Sequence, residues 1–325
     1  MRKLSGPFLT AIAALSLVSL FNGCGGGGAS TSRGGGTDAT LTASNASQVG
    51  DAVTQAVILV APATALGEVK GASISPIRSA ALISIFEKVV PVVRNHAANE
   101  KQSSAISTRN CPGGGSIEVG VPVPVSLDHV KADVNVNACT IGAEVMNGAL
   151  KVTVPTGAVS DLAHVTEFTV EASSFTYTDP HSSISLTDNF TMIANNISYR
   201  GDSLAGGSLT LGGTVSGTID GSPINIGCDS LGFQFGAPDT SGVTVSVSGR
   251  MNASCLGGWV SLNTNQWVFL PSGAQCPTGG EIVVSAGGSS VKVSIQSNSK
   301  IDIFFNGSLI QTYDNCTKVT GLCKA

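Results

Sequence analysis

From Ile117 onward, apolar residues recur at every second position, and this period of two leaves few folds open to the chain. Ile117, Val119, Val121, Val123 and Val125 alternate with Glu118, Gly120, Pro122 and Pro124. Val130, Ala132, Val134 and Val136 alternate with Lys131, Asp133, Asn135 and Asn137, and Leu150, Val152 and Val154 continue the pattern. Leu209, Leu211, Gly213, Val215, Gly217 and Ile219 face one way, with Ser and Thr between them, and shorter copies run over Val243, Val245, Val247 and over Val291, Val293, Ile295. Successive side chains of a strand point to opposite faces, so each run has one apolar and one polar side. That is the pattern of an antiparallel sheet wetted on one face. The fold class expected is mainly β: an antiparallel sandwich, or an open or half-barrel, of about a dozen strands. Pro122 and Pro124 predict an edge strand or a bulge. Asn147-Gly148, Asp220-Gly221 and Asn306-Gly307 predict hairpin turns.

Before this region the period is that of a helix. Val49, Ala52, Val53, Ala56, Val57 and Val60 recur at intervals of three and four, after a capping-box pair Asn45 and Gln48. Pro62 ends that run. Ser75-Pro76 opens a second one, carrying Ile77, Ala80, Ala81, Leu82, Ile85, Phe86, Val89 and Val90 up to Pro91. Residues 41–105 are therefore expected to be a helical segment packing on the sheet, either capping its core or gating a cavity.

Residues 106–325 form the expected β domain. Cys111-Pro112-Gly113-Gly114-Gly115-Ser116-Ile117-Glu118-Val119 matches Cys276-Pro277-Thr278-Gly279-Gly280-Glu281-Ile282-Val283-Val284 at six of nine positions. Two copies are too few for a solenoid, but they point to two related β units with a seam near residue 200.

The N-terminus carries an address. Arg2 and Lys3 precede the apolar run Phe8–Phe21, fourteen residues long. That is too short for a helix to cross a hydrocarbon core of ~30 Å, and it describes a secretory signal peptide over residues 1–23. Phe21-Asn22-Gly23-Cys24 resembles a bacterial lipoprotein lipobox. The resemblance implies that Cys24 is acylated and becomes the mature N-terminus. With Gly25 behind it, it also implies sorting to the outer membrane of a Gram-negative envelope. Several acyl chains at ~0.8 kcal/mol per CH₂ anchor firmly, whereas one is marginal. Residues 24–40 are read as the lipidated cysteine and a Gly-rich tether, whose twelve residues from Gly25 to Gly36 reach roughly 20 Å.

Charge and cysteine count bound the partners. Loss of Arg2 and Lys3 leaves 15 basic against 21 acidic side chains, net −6. Nucleic acid is excluded as an expected partner, since its recognition needs clustered Lys and Arg. Charged residues are only 12% of the chain, so Ser, Thr and Asn carry the polar surface. Seven cysteines remain after Cys24. None lies in a Cys-x-x-Cys pair, and export favours disulfides. Cys111 with Cys139 and Cys228 with Cys255 lie 28 and 27 residues apart, a spacing of a few adjacent strands. Cys276 is paired with Cys316, which leaves Cys323 odd, and Cys316 with Cys323 is the rival pairing.

Four motifs invite a chemical reading. Gly201-Asp202-Ser203-Leu204 resembles the signature of GDSL hydrolases, which implies a nucleophilic Ser203. In that family an Asp-x-x-His follows the serine, whereas here Asp161-Leu162-Ala163-His164 precedes it. Arg200-Gly201-Asp202 spells an integrin tripeptide, which needs an exposed loop tip. His129, His164 and His181, with Asp128, Asp161 and Asp179, could meet around a metal, but no pair has metal-motif spacing. Trp259 and Trp267 flank Asn263-Thr264-Asn265, expected as a hairpin tip, which would set the two indoles side by side as core or as a sugar-stacking platform.

The expectation is thus a lipid-anchored lipoprotein of the cell envelope, non-catalytic, without cofactor or metal. Its partners are the membrane through its N-terminal lipid and an envelope protein, a glycan or an apolar ligand. The apolar ligand would make the chain a carrier, holding it between the helices and the concave sheet near Val53, Val57, Phe86 and Val89.

Overall fold

The computed structural model describes residues 36–51, 53, 106–155, 166–180, 182–200, 203–219, 222–239, 242–253, 256–271, 274 and 276–316. Within them the alternating runs become sixteen strands of one sheet. In chain order these are β1 (Ser107–Asn110), β2 (Ser116–Val119), β3 (Val123–Pro124), β4 (His129–Ile141), β5 (Glu144–Pro155), β6 (Phe168–Thr178), β7 (Ser182–Arg200) and β8 (Ser203–Ile219). They continue as β9 (Ser222–Asp239), β10 (Gly242–Ala253), β11 (Gly258–Gln266), β12 (Val268–Pro271), β13 (Gly280–Ala286), β14 (Ser289–Ile295), β15 (Ile301–Phe305) and β16 (Ser308–Tyr313).

The hydrogen-bonded order follows the chain, β1-β2-β4-β5-β6-β7-β8-β9-β10-β11-β13-β14-β15-β16, with β3 on β4 and β12 on β10. Every pairing of these strands is antiparallel. The chain is mainly β, as its periodicity requires. The sheet runs unbroken through residue 200, where Arg200 pairs with Ser203. A sheet of this many strands curls. Its apolar face forms a single core in which Phe175, Tyr177, Phe190, Met192 and Phe233 are almost wholly buried.

The described part of the N-terminal helix lies on that inner face. Ala46, Val49 and Val53 are buried in the core, and a side chain at Gly50 would collide with Ile303 of β15. Asp51 is buried too, and its Oδ2 accepts the Tyr313 hydroxyl at 2.9 Å. The capping box stands one turn earlier than expected. Thr42 N–H donates to Asn45 Oδ1 at 2.8 Å, and Asn45 N–H donates back to Thr42 Oγ1 at 3.4 Å. Ala46 N–H to Thr42 O, at 3.0 Å, then closes the first helical turn. The second expected helix, with Val57, Phe86 and Val89, lies outside the described residues.

Turn chemistry was partly misassigned from sequence. Asn306-Gly307 does make the β15–β16 hairpin, with φ of 45° and 84°. Asn147-Gly148 does not make one; it sits inside β5, opposite a bulge in β4. There Asn147 Oδ1 accepts from the N–H of Ala138, whose φ is 45°, so the amide side chain repairs a ladder bond that the bulge opens. The β4–β5 turn is Gly142-Ala143 instead, between the partners Ile141 and Glu144. Asp220-Gly221 lies outside the described residues, between the partners Ile219 and Ser222. The prolines do mark an edge: β3 is two residues long and pairs only with β4. Val121, Val123 and Val125, expected inward, are exposed, because the chain passes β4 there with too few ladder bonds to hold the alternation.

Among the described residues two disulfides staple the sheet, Cys111–Cys139 and Cys276–Cys316. They close loops of 28 and 40 residues, worth ~3.5–4 kcal/mol each in the chain-entropy model. The expected Cys228–Cys255 pair is corrected. Cys228 is a free, buried thiol, because the β9–β10 register sets Met251 opposite it; Cys255 and Cys323 lie outside the described residues. Burial pushes the Cys228 thiol up to about 12. It should therefore ignore an aromatic disulfide reagent in the native protein and react only as the protein unfolds; fast native reaction at pH 8 contradicts this. Phe190→Ala should cost about 3–5 kcal/mol in urea unfolding, against roughly 0.5 kcal/mol or less for Ile193→Thr on the outer face.

Candidate functional site: the tryptophan face

The two tryptophans do not meet. Residues 258–266 are one strand, so no hairpin tip separates them, and eight residues of extended chain hold them roughly 25 Å apart. Both lie on the outer face, since Val260, Leu262, Val268 and Leu270 take the inward positions. They have opposite environments: Trp259 is 7% exposed and Trp267 44%.

Trp259 is roofed by the N-terminal strand. Asp38 forms a parallel bridge with Trp259, flanked by Ala39 N–H to Trp259 O at 2.9 Å and Trp259 N–H to Thr37 O at 3.0 Å. Only a glycine fits at position 36, where a Cβ would approach the indole Nε1 to within 2.4 Å. Arg250 closes the site. Its guanidinium lies 5.4 Å from the Trp259 ring centroid, donates to Asp38 Oδ1 at 3.0 Å and stands 3.9 Å from Asp229. The indole Nε1 is buried and makes no hydrogen bond. This is a clamp on the chain's own N-terminal stretch, at the β10–β11 turn.

Trp267 has no roof. β11 leaves β10 after Asn263, and β12 rejoins it at Val268, so residues 264–267 step off β10 while Thr264 and Gln266 stay paired with β13. Thr264 seals the gap, its hydroxyl donating to Val247 O at 2.9 Å and accepting Val247 N–H at 2.8 Å. Trp267 reaches across Thr244 to Gly236 of β9, where a Cβ would lie 3.4 Å from the ring. Phe269, two residues on and half-buried, covers Gly242 in the same way. The result is an aromatic ledge over glycines on an otherwise hydroxyl-rich face. On one side stand Thr244, Ser246 and the exposed Gln234. On the other, Asn265 donates to Glu281 at 2.9 Å, and Glu281 pairs with Lys292 at 3.3 Å.

The remaining motifs resolve differently. Ser203 opens β8 directly across from Arg200 and continues as strand, so no strand-to-helix elbow presents the serine. Gly201, Asp202, Asp161, His164 and His181 lie outside the described residues. Asp128 and His129 do come together, with Ser126 and Glu167, which sequence reasoning did not single out. Asp128 Oδ1 is 2.9 Å and Ser126 Oγ 3.3 Å from the same nitrogen, Nδ1 of His129. Ser126 and Asp128 thus share one nitrogen, so Asp128 cannot orient the ring for Ser126 as a triad carboxylate does. Nε2 instead faces Glu167 Oε1 at 3.3 Å, in ion-pair reach but poorly aligned for a hydrogen bond. Among the described residues no group of three or more acidic, histidine or cysteine side chains is arranged to hold a metal.

No family model matches the chain, and no curated protein or solved structure is similar to it at a significant level.

Two outcomes test this geometry. Gly36→Val should push the N-terminal strand off Trp259; faster exchange of the Ala39 and Trp259 amides and a red-shifted emission are expected, and unchanged exchange refutes the clamp. The His129 imidazolium is favoured chiefly by its hydrogen bond to Asp128, and more weakly by Glu167, so its pKa lies above the usual histidine value. A raised folded pKa means stabilisation that is complete below the unfolded pKa and lost as pH rises through the folded one. NMR titration of His129 should show a midpoint above 6.5 that falls in Glu167→Gln.

Proposed function

We propose that the chain is a lipid-anchored lipoprotein of the bacterial cell envelope, held in the outer membrane through Cys24 and serving a non-catalytic binding role. The observation that supports it is where the N-terminal stretch meets the fold. Gly36 packs on Trp259 from the outside of the sheet, twelve residues after Cys24, so an acyl group at Cys24 can enter a bilayer without disturbing the core. Two disulfides agree with an oxidising compartment beyond the cytoplasm. The outer face adds to the reading, since it offers hydroxyls, amides and an uncovered indole.

Labelling of cells with a radioactive fatty acid tests the anchor. The wild type should carry label and fractionate with the outer membrane, and Cys24→Ala should carry none and appear in the soluble fraction. An unlabelled wild type overturns the proposal.

A further inference from the structure

We propose that the Trp267–Phe269 ledge is a binding platform for a neutral saccharide. This rests on the reading of the chain as a binding protein but not on its lipid.

An indole left 44% exposed on a sheet whose other tryptophan is 7% exposed has apolar area that the fold does not use. Gly236 lies beneath the ledge, where a Cβ would come within 2.7 Å of the Thr244 hydroxyl and into ordinary contact, 3.4 Å, with the Trp267 ring. Gly242 gives Phe269 the same close seat, 2.7 Å from a would-be Cβ. Each ring thus comes close to a glycine of a neighbouring strand.

The surroundings select the ligand class. An aromatic face carries the negative end of a quadrupole and attracts weakly positive C–H groups. A pyranose ring presents such C–H groups on one face and hydroxyls around its rim. Here the rim meets Gln234, Thr244 and Ser246 on one side and Asn265 on the other, all neutral donors or acceptors. The two charges described beside Asn265 pair with each other, Lys292 lying 3.3 Å from Glu281. Neither an anionic nor a cationic ligand finds a free counter-charge among these side chains. A bilayer surface fits poorly as well, because the flanking outward positions are hydroxyls and amides where membrane insertion needs more apolar side chains.

The test uses the full chain bearing Cys24→Ala and Trp259→Phe, so that Trp267 is the sole tryptophan and is excited selectively at the red edge of its absorption. Neutral glycans of varied linkage are first screened on an array, and maltohexaose, cellohexaose and chitohexaose are then titrated in solution. Expected are a blue-shifted emission and protection from acrylamide quenching for at least one class. Trp267→Ala should weaken array binding by about tenfold or more, which is ~1.4 kcal/mol. Trp267→Phe, which keeps an aromatic face, should retain most of it, while matched circular dichroism and two intact disulfides show that the fold survives. Three results overturn the proposal: no neutral glycan bound, equal binding by Trp267→Ala, or protection by phosphatidylethanolamine–phosphatidylglycerol vesicles with none by sugars. Failure here leaves the fatty-acid labelling result untouched, so the two proposals fall separately.

Discussion

The structure depends on a backbone ladder whose main path follows the chain and passes over only the short β3 and β12. Each long strand hydrogen-bonds to the ones beside it in sequence, so most pairing contacts are local in the chain. Local pairing keeps loop-closure entropy low, and each hairpin can form on the one before it. The longest strands, β7, β8 and β9, stand in the middle, where both edges are paired. The ends of the ribbon are short strands, β1 and β16, which limits the length of edge open to unwanted pairing.

One buried face follows from that ladder and accounts for the composition. A sheet with a single wet side needs an apolar residue only at alternate positions. It can fill the others with Ser, Thr, Asn and Gly, which is why 12% charged residues suffice. The inner face takes the large side chains, such as Phe175 and Phe190, and the helix bearing Val49 and Val53. The outer face is free for other uses, and both tryptophans stand on it.

The alternation was legible because burial on one side imposes it residue by residue, and so the fold class could be read directly. Features that depend on register were not. Asn147-Gly148 has the composition of a turn, yet its amide is used to mend a bulge nine residues away in sequence, which no local pattern reports. Cys228 misses a partner because Met251 takes the position opposite it, a fact of register and not of spacing. Trp259 and Trp267 looked alike in sequence; a strand in place of a loop between them, and glycines on a neighbouring strand, separate a covered indole from an open one. Gly236 and Gly242 carried a signal, since a glycine inside a strand often marks close approach by another group, but the partner ring could not be guessed. The Asp128–His129 contact was readable as neighbours in the chain, whereas Glu167 lies far along the sequence, just before β6.

Thr37 to Ala39 run parallel to β11, and their two backbone bonds to Trp259 lie side by side across the strand axis. Tension applied from upstream along that axis would load both bonds and the Arg250–Asp38 ion pair at once, in shear. An antiparallel flap would peel open one link at a time. Pull from the N-terminal side is thus borne by the bridge to β11 before it can reach the helix cap at Thr42.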